Sequence, residues 1–169
     1  MRIADMAGIA IFATGGIGGA HREAELNFDI SADLMEFAQS NVAVVTAGAK
    51  AILDLGLTLE ILETQGVPVV GYGTDEFPAF YSRESGHKLT QRCDDPDQIA
   101  ALLHAKWDMN LRGGVVVANP ILAQDEIPSN EIAPLIALAV AEAKKTVAHG
   151  KHVTPFLLKR LAEITEGKS

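Results

Sequence analysis

Four short apolar runs along the chain do not alternate with polar residues; they cover 9–13, 42–45, 67–72 and 114–118. A strand that is exposed on one face alternates apolar with polar side chains, whereas a strand covered on both faces of a parallel sheet does not. The pattern therefore predicts four strands buried on both faces.

The stretches between and after these runs carry apolar residues at every third or fourth position, which is typical of helices. In the stretch 31–40, Ser31 is a predicted N-cap, and in 53–66 the glycine Gly66 ends the helical pattern. The first half of the chain thus reads as strand, helix, strand, helix, strand.

Three more helices are predicted in the second half of the chain. The stretch 94–110 places Asp95 before Pro96, an N-cap followed by proline at the first helical position. The stretches 129–145 and 153–165 have helical spacing too, and the second begins with Thr154 and Pro155 in the same predicted cap arrangement.

The alternation of strands and helices predicts an α/β fold, a mostly parallel sheet with helices on both faces, over a single domain 1–169. Residues 1–8 are predicted to end a helix that leads into the first strand. A doubly wound sheet normally has more strands than the four or five visible here. We therefore expect an incomplete part of a larger α/β domain.

Composition narrows the class of protein. The 169 residues are 48% hydrophobic, enough for a full core, and the net charge of -8 offers no positive field for a nucleic acid polymer. A single cysteine, Cys93, excludes an intrachain disulfide and a Cys-rich zinc site. The apolar start of the chain is interrupted by Asp5 and glycines, so neither a signal peptide nor a membrane span is predicted and a cytoplasmic location is expected.

The glycine-rich stretch 13–22, ATGGIGGAHR, follows the first predicted strand. Its backbone N–H groups could face an anion, but the stretch lacks both the dinucleotide-binding and the P-loop spacing. An active-site loop and an ordinary tight strand exit both remain open. His21, in the same stretch, is either a donor to a substrate or a structural hydrogen-bonding residue.

Two carboxylates, Asp29 and Asp33, flank Ser31. If Ser31 caps a helix, Asp33 lies in the first turn, where the exposed N–H groups favour a negative charge. The alternative is a site for a hard cation at Asp29, with Ser31 and Asp33 on a polar substrate, because Mg²⁺ and Mn²⁺ prefer carboxylate oxygens and water.

Lys50 stands among small and apolar residues directly after the second predicted strand. Ligand crevices open at the carboxyl ends of parallel strands, and burial there favours the neutral amine that attacks an electrophilic carbon. The alternative is a lysine whose stem packs while its ammonium reaches solvent. The loop 74–88 is predicted to line a pocket or a subunit contact, and no role follows for Cys93 or for the other histidines: His87, His104, His149 and His152.

The segments 12–25, 28–34, 47–86 and 115–121 closely resemble, in this order, the pseudouridine-5'-phosphate glycosidase family, also called the indigoidine synthase A-like family. The resemblance continues through 126–132 and 150–169. It implies a manganese-dependent enzyme that reversibly splits pseudouridine 5'-phosphate into uracil and ribose 5-phosphate, and that forms a homotrimer.

The resemblance also implies roles for individual residues. Lys50 matches the family's nucleophile, which forms an imine with the sugar, and Asp29 matches the Mn²⁺ ligand, with water supplying most other ligands. Substrate contacts are implied for His21 and for the segment that follows Asp29: Ser31, Ala32 and Asp33.

Family members are considerably longer, and the resemblance implies that this chain corresponds to their C-terminal portion. The family's general-acid glutamate, a phosphate-binding lysine and an asparagine-rich helix near the phosphate have no counterpart here. General acid catalysis typically contributes roughly 10²–10⁴-fold. We therefore expect a chain that is inactive alone, or active only when another chain supplies the missing half; a different sugar phosphate or nucleoside as substrate also remains open.

Overall fold

The computed structural model describes residues 1–146 and 153–165, and its centre is a five-stranded sheet in which every pairing is parallel. In spatial order the strands run β1-β3-β7-β5-β6. They comprise β1 Ile11–Thr14, β3 Ala43–Thr46, β5 Val69–Tyr72, β6 Gln91–Cys93 and β7 Val115–Ala118. Two short strands, β2 Ala20–His21 and β4 Leu53–Asp54, form a separate antiparallel pair.

Helices connect and cover these strands, as predicted. Their bounds are α1 Arg2–Met6, α2 Ala24–Asn27, α3 Ala32–Gln39, α4 Leu55–Thr64, α5 Pro96–Asp108, α6 Ser129–Thr146 and α7 Val153–Ile164. Helix α1 confirms the helix predicted before the first strand. Within the described ranges, no helix is long and apolar enough to cross a bilayer.

The central strand β7 shows that both sheet faces are covered. Val116 and Ala118 belong to a large apolar cluster with side chains of α3, α4, α6 and α7, whereas Val115 and Val117 belong to a second cluster with Leu103 of α5. Successive side chains of a strand point to opposite faces. The prediction of a parallel sheet with helices on both faces is therefore confirmed.

The prediction that the first strand is buried on both faces is wrong. β1 lies at one edge of the sheet, and its residues Ile11 and Phe12 are 59% and 41% exposed. An apolar run without alternation shows which residues avoid water, but it cannot show whether the same chain supplies the elements that cover them.

Two of the predicted helix caps are confirmed and one is wrong. The N–H of Asp33 donates to Ser31 Oγ at 3.2 Å, and the N–H of Gln98 donates to Asp95 Oδ1 at 2.8 Å. Helix α7 already begins at Val153, so Thr154 lies inside it instead of capping it. His149 and His152 lie outside the described residues.

A buried lysine, Lys106, lies in the last turn of α5, and its role does not follow from the sequence pattern. The Lys106 ammonium donates to the carbonyls of Leu111, Arg112 and Gly113 at 2.8–2.9 Å. Burial lowers the pKa of Lys106 below its usual value of 10.5, while the three carbonyls satisfy the ammonium. This lysine is structural, because all three of its donors serve the chain turn that leads into β7.

Candidate active site

The turns that leave β1 and β3 lie side by side at the carboxyl end of the sheet. The N–H of Ile17 donates to the carbonyl of Gly48 at 3.0 Å, and the N–H of Lys50 donates to the carbonyl of Ile17 at 3.2 Å. Ile17 and Ala49 form a parallel bridge. The pairing of the two strands thus continues past their ends and joins the glycine-rich turn 15–19 to the turn 47–50.

Lys50 lies against the glycine-rich turn. A Cβ built on Gly16 would be 3.4 Å from Lys50 Cγ, so the lysine stem packs where a side chain at position 16 would begin. Ala49 and Ala51 on either side are buried, whereas Lys50 has intermediate exposure. The stem of Lys50 is thus packed against the turn and the residue keeps some contact with solvent, and the role of its amine stays a prediction.

Phe80 covers the same glycine, a contact that the sequence does not predict. A Cβ on Gly16 would be 2.5 Å from ring carbons Cδ2 and Cε2 of Phe80, and the N–H of Phe80 donates to the carbonyl of Ala47 at 3.0 Å. Phe80 adopts φ +69°, a left-handed conformation that is unusual for a bulky residue. Its position in the predicted loop 74–88 was the one available signal, because neither its ring contact nor its φ follows from local sequence.

The N-terminus of α3 lies on the other side of the glycine-rich turn. The N–H of Gly18 donates to Asp33 Oδ2 at 2.8 Å, and the N–H of Ser31 donates to the carbonyl of Gly19 at 2.9 Å. A Cβ on Gly18 would lie 2.2 Å from Ser31 Oγ, so this close approach requires glycine. The cap and the first-turn carboxylate are confirmed as local structure, and their contact with a substrate stays a prediction.

Asp29 and His21 are joined through the backbone. The N–H of His21 donates to the carbonyl of Asp29 at 2.9 Å, and the N–H of Asp29 donates to Asn27 Oδ1 at 2.8 Å. His21 also lies in β2, opposite Leu53 of β4, so its backbone connects the Asp29 loop to the chain that follows Lys50.

Asp29 is the one predicted metal ligand, and a metal at this single carboxylate stays a prediction. The side chain is half-buried, and oxygen of this type is what Mg²⁺ and Mn²⁺ prefer. Residues 1–146 and 153–165 contain no group of three or more His, Cys, Asp or Glu side chains that could together hold a metal. A cation at Asp29 would therefore take its remaining ligands largely from solvent.

The structure thus brings the predicted residues to one glycine-rich turn. Lys50 lies against Gly16, while Ser31 and Asp33 contact Gly18. Ala32 is exposed at the start of α3, and Asp29 and His21 are joined to each other where the turn ends. Lys50 and the capped start of α3 therefore meet at one turn at the carboxyl edge of a parallel sheet.

This fold places the chain among α/β proteins with a mostly parallel sheet, in which the carboxyl ends of the strands are the usual place for a ligand crevice. The chain belongs to the indigoidine synthase A-like protein family, whose model matches residues 1–169. The resemblance seen in the sequence is thereby confirmed.

Curated relatives that are similar to this chain share one name. The chain is 60% identical over 169 residues to the pseudouridine-5'-phosphate glycosidase of Solibacter usitatus and 57% identical to that of Clostridium botulinum, all of it being covered in both cases. It covers 56% and 55% of those two proteins. The chain therefore spans about half the length of the curated relatives that it matches.

Solved structures share the fold. The prealnumycin C-glycosynthase AlnA in complex with ribulose 5-phosphate matches with a TM-score of 0.91 and 42% identity, over 99% of this chain and 55% of that one. An indigoidine synthase A-like protein from Thermotoga maritima matches with a TM-score of 0.88 and 38% identity, over 99% of this chain and 54% of that one.

Proposed function

We propose that the chain carries the nucleophile of a pseudouridine-5'-phosphate glycosidase, which reversibly cleaves the C–C glycosidic bond to give uracil and ribose 5-phosphate. The observation that carries the proposal is the 60% identity, over the whole chain, to a relative of that name. The packing of Lys50 against the glycine-rich turn at the carboxyl edge of the sheet supports it.

Lys50 is the proposed nucleophile. Its amine attacks the anomeric carbon of the ribose and the ring oxygen leaves that carbon, which opens the sugar. The nitrogen lone pair then forms an imine as the bond to the uracil carbon breaks, and in the reverse reaction this imine accepts the electron pair of that carbon. Uracil takes up a proton where that bond breaks, and water then hydrolyses the imine to release ribose 5-phosphate and the free amine. A carboxylate pair of the common glycosidase kind would form an ester, which is no comparable electron sink.

The other residues of the site are proposed to hold the substrate. Ser31, Ala32 and Asp33 form the first turn of α3 beside Gly18, so their polar groups can reach a sugar near the lysine. His21 is a proposed substrate contact next to them. Asp33 is exposed and already accepts a hydrogen bond from Gly18, so it also keeps the turn in place.

Asp29 is the proposed Mn²⁺ ligand. Its half-buried carboxylate offers the right oxygen, and no hydrogen bond or ion pair within the described residues occupies that carboxylate. When bound, the cation would supply positive charge and ordered waters to the polar substrate. We further propose a cytoplasmic homotrimer, on the strength of the family resemblance alone.

The neighbour bound to ribulose 5-phosphate favours a second candidate. That protein is a C-glycosynthase with 42% identity to this chain, so the same lysine could serve another sugar phosphate. Both candidates share the imine and differ in the group joined to the anomeric carbon.

A turnover assay separates the candidates. The chain, alone and co-expressed with the part of the Solibacter relative that it does not span, is incubated with pseudouridine 5'-phosphate and Mn²⁺, and uracil is measured by chromatography. We expect uracil from the co-expressed sample, a strong decrease in Asp29→Asn, and none in Lys50→Arg. Uracil release that persists in Lys50→Arg would contradict Lys50 as the nucleophile. A sugar adduct on Lys50 without any uracil release would favour the second candidate, an enzyme that acts on another sugar phosphate.

A further inference from the structure

Thr58 is a buried threonine near the start of α4, and its hydroxyl joins two segments of the chain. The N–H of Ala20 donates to Thr58 Oγ1 at 3.0 Å, and the same hydroxyl donates to the carbonyl of Asp54 at 2.6 Å. The residue is 0% exposed. The hydroxyl therefore serves both as acceptor and as donor to backbone groups, in a place that is closed to solvent.

This hydroxyl lies within the antiparallel pair of β2 and β4. Ala20 and Asp54 are partners in that pair, and His21 and Leu53 are the next partners. The Thr58 oxygen thus links the N–H of one partner to the carbonyl of the other. A two-stranded ladder is marginally stable by itself. We therefore infer that Thr58 helps to fix the distance between the two strands.

The two strands belong to different parts of the proposed site. β2 carries His21, whose N–H donates to the carbonyl of Asp29 at 2.9 Å. β4 follows the nucleophile closely, because the N–H of Leu53 donates to the carbonyl of Lys50 at 2.9 Å. Thr58 thus connects the segment of the proposed substrate contact to the segment of the proposed nucleophile.

Thr58 also contacts the end of the glycine-rich turn. A Cβ built on Gly19 would be 2.4 Å from Thr58 Oγ1 and 2.9 Å from its Cγ2, so this approach leaves no room for a side chain at position 19. The carbonyl of Gly19 accepts the hydrogen bond of the Ser31 N–H. The position of Thr58 therefore also affects where α3 begins.

We propose that Thr58 is a positioning residue for the sugar phosphate, an inference that rests on the proposed function. Its hydroxyl holds β2 and the end of the glycine-rich turn, and through them His21 and Ser31, at the distance from Lys50 that the substrate requires. Lys50 itself has other support, since its stem packs against Gly16. Loss of the hydroxyl should therefore weaken binding of the sugar phosphate more than it impairs the reaction of the amine.

Three variants separate positioning from stability. Thr58→Val replaces the hydroxyl by a methyl group and leaves two backbone groups unpaired, whereas Thr58→Ser keeps the hydroxyl. The matched control is Thr165→Val, because Thr165 is also buried and its hydroxyl also donates to a carbonyl four residues earlier, that of Leu161, at 2.8 Å. Both valine variants should lower the free energy of unfolding in urea denaturation.

The distinguishing measurement is the ribose 5-phosphate concentration that gives half of the maximal adduct on Lys50. Each variant is co-expressed with the part of the Solibacter relative that the chain does not span. The Lys50 amine and the sugar aldehyde condense with loss of water, and borohydride reduces the imine to a secondary amine that is quantified by peptide mass.

We expect this half-maximal concentration to rise at least about tenfold in Thr58→Val, while the maximal adduct stays within about twofold of the parent. In Thr58→Ser and Thr165→Val it should stay within about twofold of the parent. An unchanged value in Thr58→Val, an equal rise in Thr165→Val or an equal rise in Thr58→Ser would each overturn the positioning role.

Hydrogen exchange at the Ala20 amide distinguishes failure of this inference from failure of the proposed function. That amide should exchange at least about tenfold faster in Thr58→Val than in Thr58→Ser, whether or not an adduct forms. Equal exchange rates would overturn the role of the hydroxyl in holding β2. Absence of any adduct in the parent, with the expected exchange rates, would instead overturn the proposed function.

Discussion

Phe80 lies over Gly16 of the glycine-rich turn and its N–H bonds to Ala47 in the turn that carries Lys50. Loss of the ring should therefore disturb the position of Lys50 as well as reduce stability. Phe80→Ala removes the ring that lies over Gly16 and is expected to cost about 1–3 kcal/mol of unfolding free energy, since the side chain is only half-buried. The free energy is measured by urea denaturation. Borohydride reduction with ribose 5-phosphate traps the proposed imine as a stable sugar adduct on Lys50. The yield of this adduct should fall more than about tenfold in the variant.

The control for Phe80→Ala is Phe156→Ala on α7, another half-buried phenylalanine that packs against the large core cluster. It should lose comparable stability and keep the adduct yield. Gly16→Ala provides a second check, because its methyl group meets the Phe80 ring at 2.5 Å. Its cost should shrink in the Phe80→Ala background, and strictly additive costs would contradict the contact.

Two helix caps with the same geometry should differ in their effect on the site. Ser31→Ala and Asp95→Ala each remove a side-chain acceptor from the first turn of a helix, and each should cost about 1 kcal/mol in urea denaturation. Only Ser31 belongs to the turn that contacts Gly18, so only Ser31→Ala should reduce the Lys50 adduct. A similar reduction in Asp95→Ala would show that general loss of stability is responsible.

The contact between α6 and α7 should become less stable at acidic pH. Glu142 accepts two hydrogen bonds from Arg160, at 2.6 and 3.1 Å, and these lower the pKa of the Glu142 carboxyl below its usual value of 4.5. A lowered carboxyl pKa contributes stability that is complete above pH 4.5 and is lost as the pH falls through the lowered value.

Glu142→Gln tests this pH dependence by thermal unfolding between pH 3 and pH 7. We expect the variant to be less stable than the parent at neutral pH and to lose less stability on acidification. Glu163→Gln is the control, because Glu163 makes only one longer contact of 3.3 Å with the same guanidinium. Parallel pH curves for parent and Glu142→Gln would contradict the proposed linkage.

Elements whose signal is local were predictable. The Ser31 and Asp95 caps, the helix break at Gly66 and the buried strand β7 all follow from residues adjacent in sequence. β6 was not predicted, because Gln91, Arg92 and Cys93 form a strand only through pairing with β5. The start of α7 at Val153 likewise shows that a cap signal of two residues does not fix where a helix begins.

The site was predictable residue by residue but not in its arrangement. Family resemblance pointed to Lys50, Asp29 and the start of α3, yet neither spacing nor composition places Lys50 at Gly16 and Asp33 at Gly18. Those contacts depend on the parallel pairing of β1 with β3 beyond the ends of the strands. Phe80 was missed for the same reason, since it reaches Gly16 across more than 60 residues of chain.

For the whole molecule, the proposed site lies on a parallel sheet whose two edges differ, since β6 carries the charged Arg92 and β1 is apolar and exposed. The chain covers about half of its relatives, and its open edge lies on β1, the strand that leads into the glycine-rich turn.

The central claim is that the amine of Lys50 bonds covalently to the first carbon of a sugar phosphate. The most direct measurement is borohydride reduction with ribose 5-phosphate in the chain co-expressed with the remainder of the Solibacter relative, followed by peptide mass mapping. Buried Lys106, whose ammonium is held by three carbonyls, and exposed Lys88 serve as internal controls. We predict one adduct, at Lys50, which disappears in Lys50→Arg; an unmodified Lys50, or labelling of Lys88 to the same extent, would contradict the account.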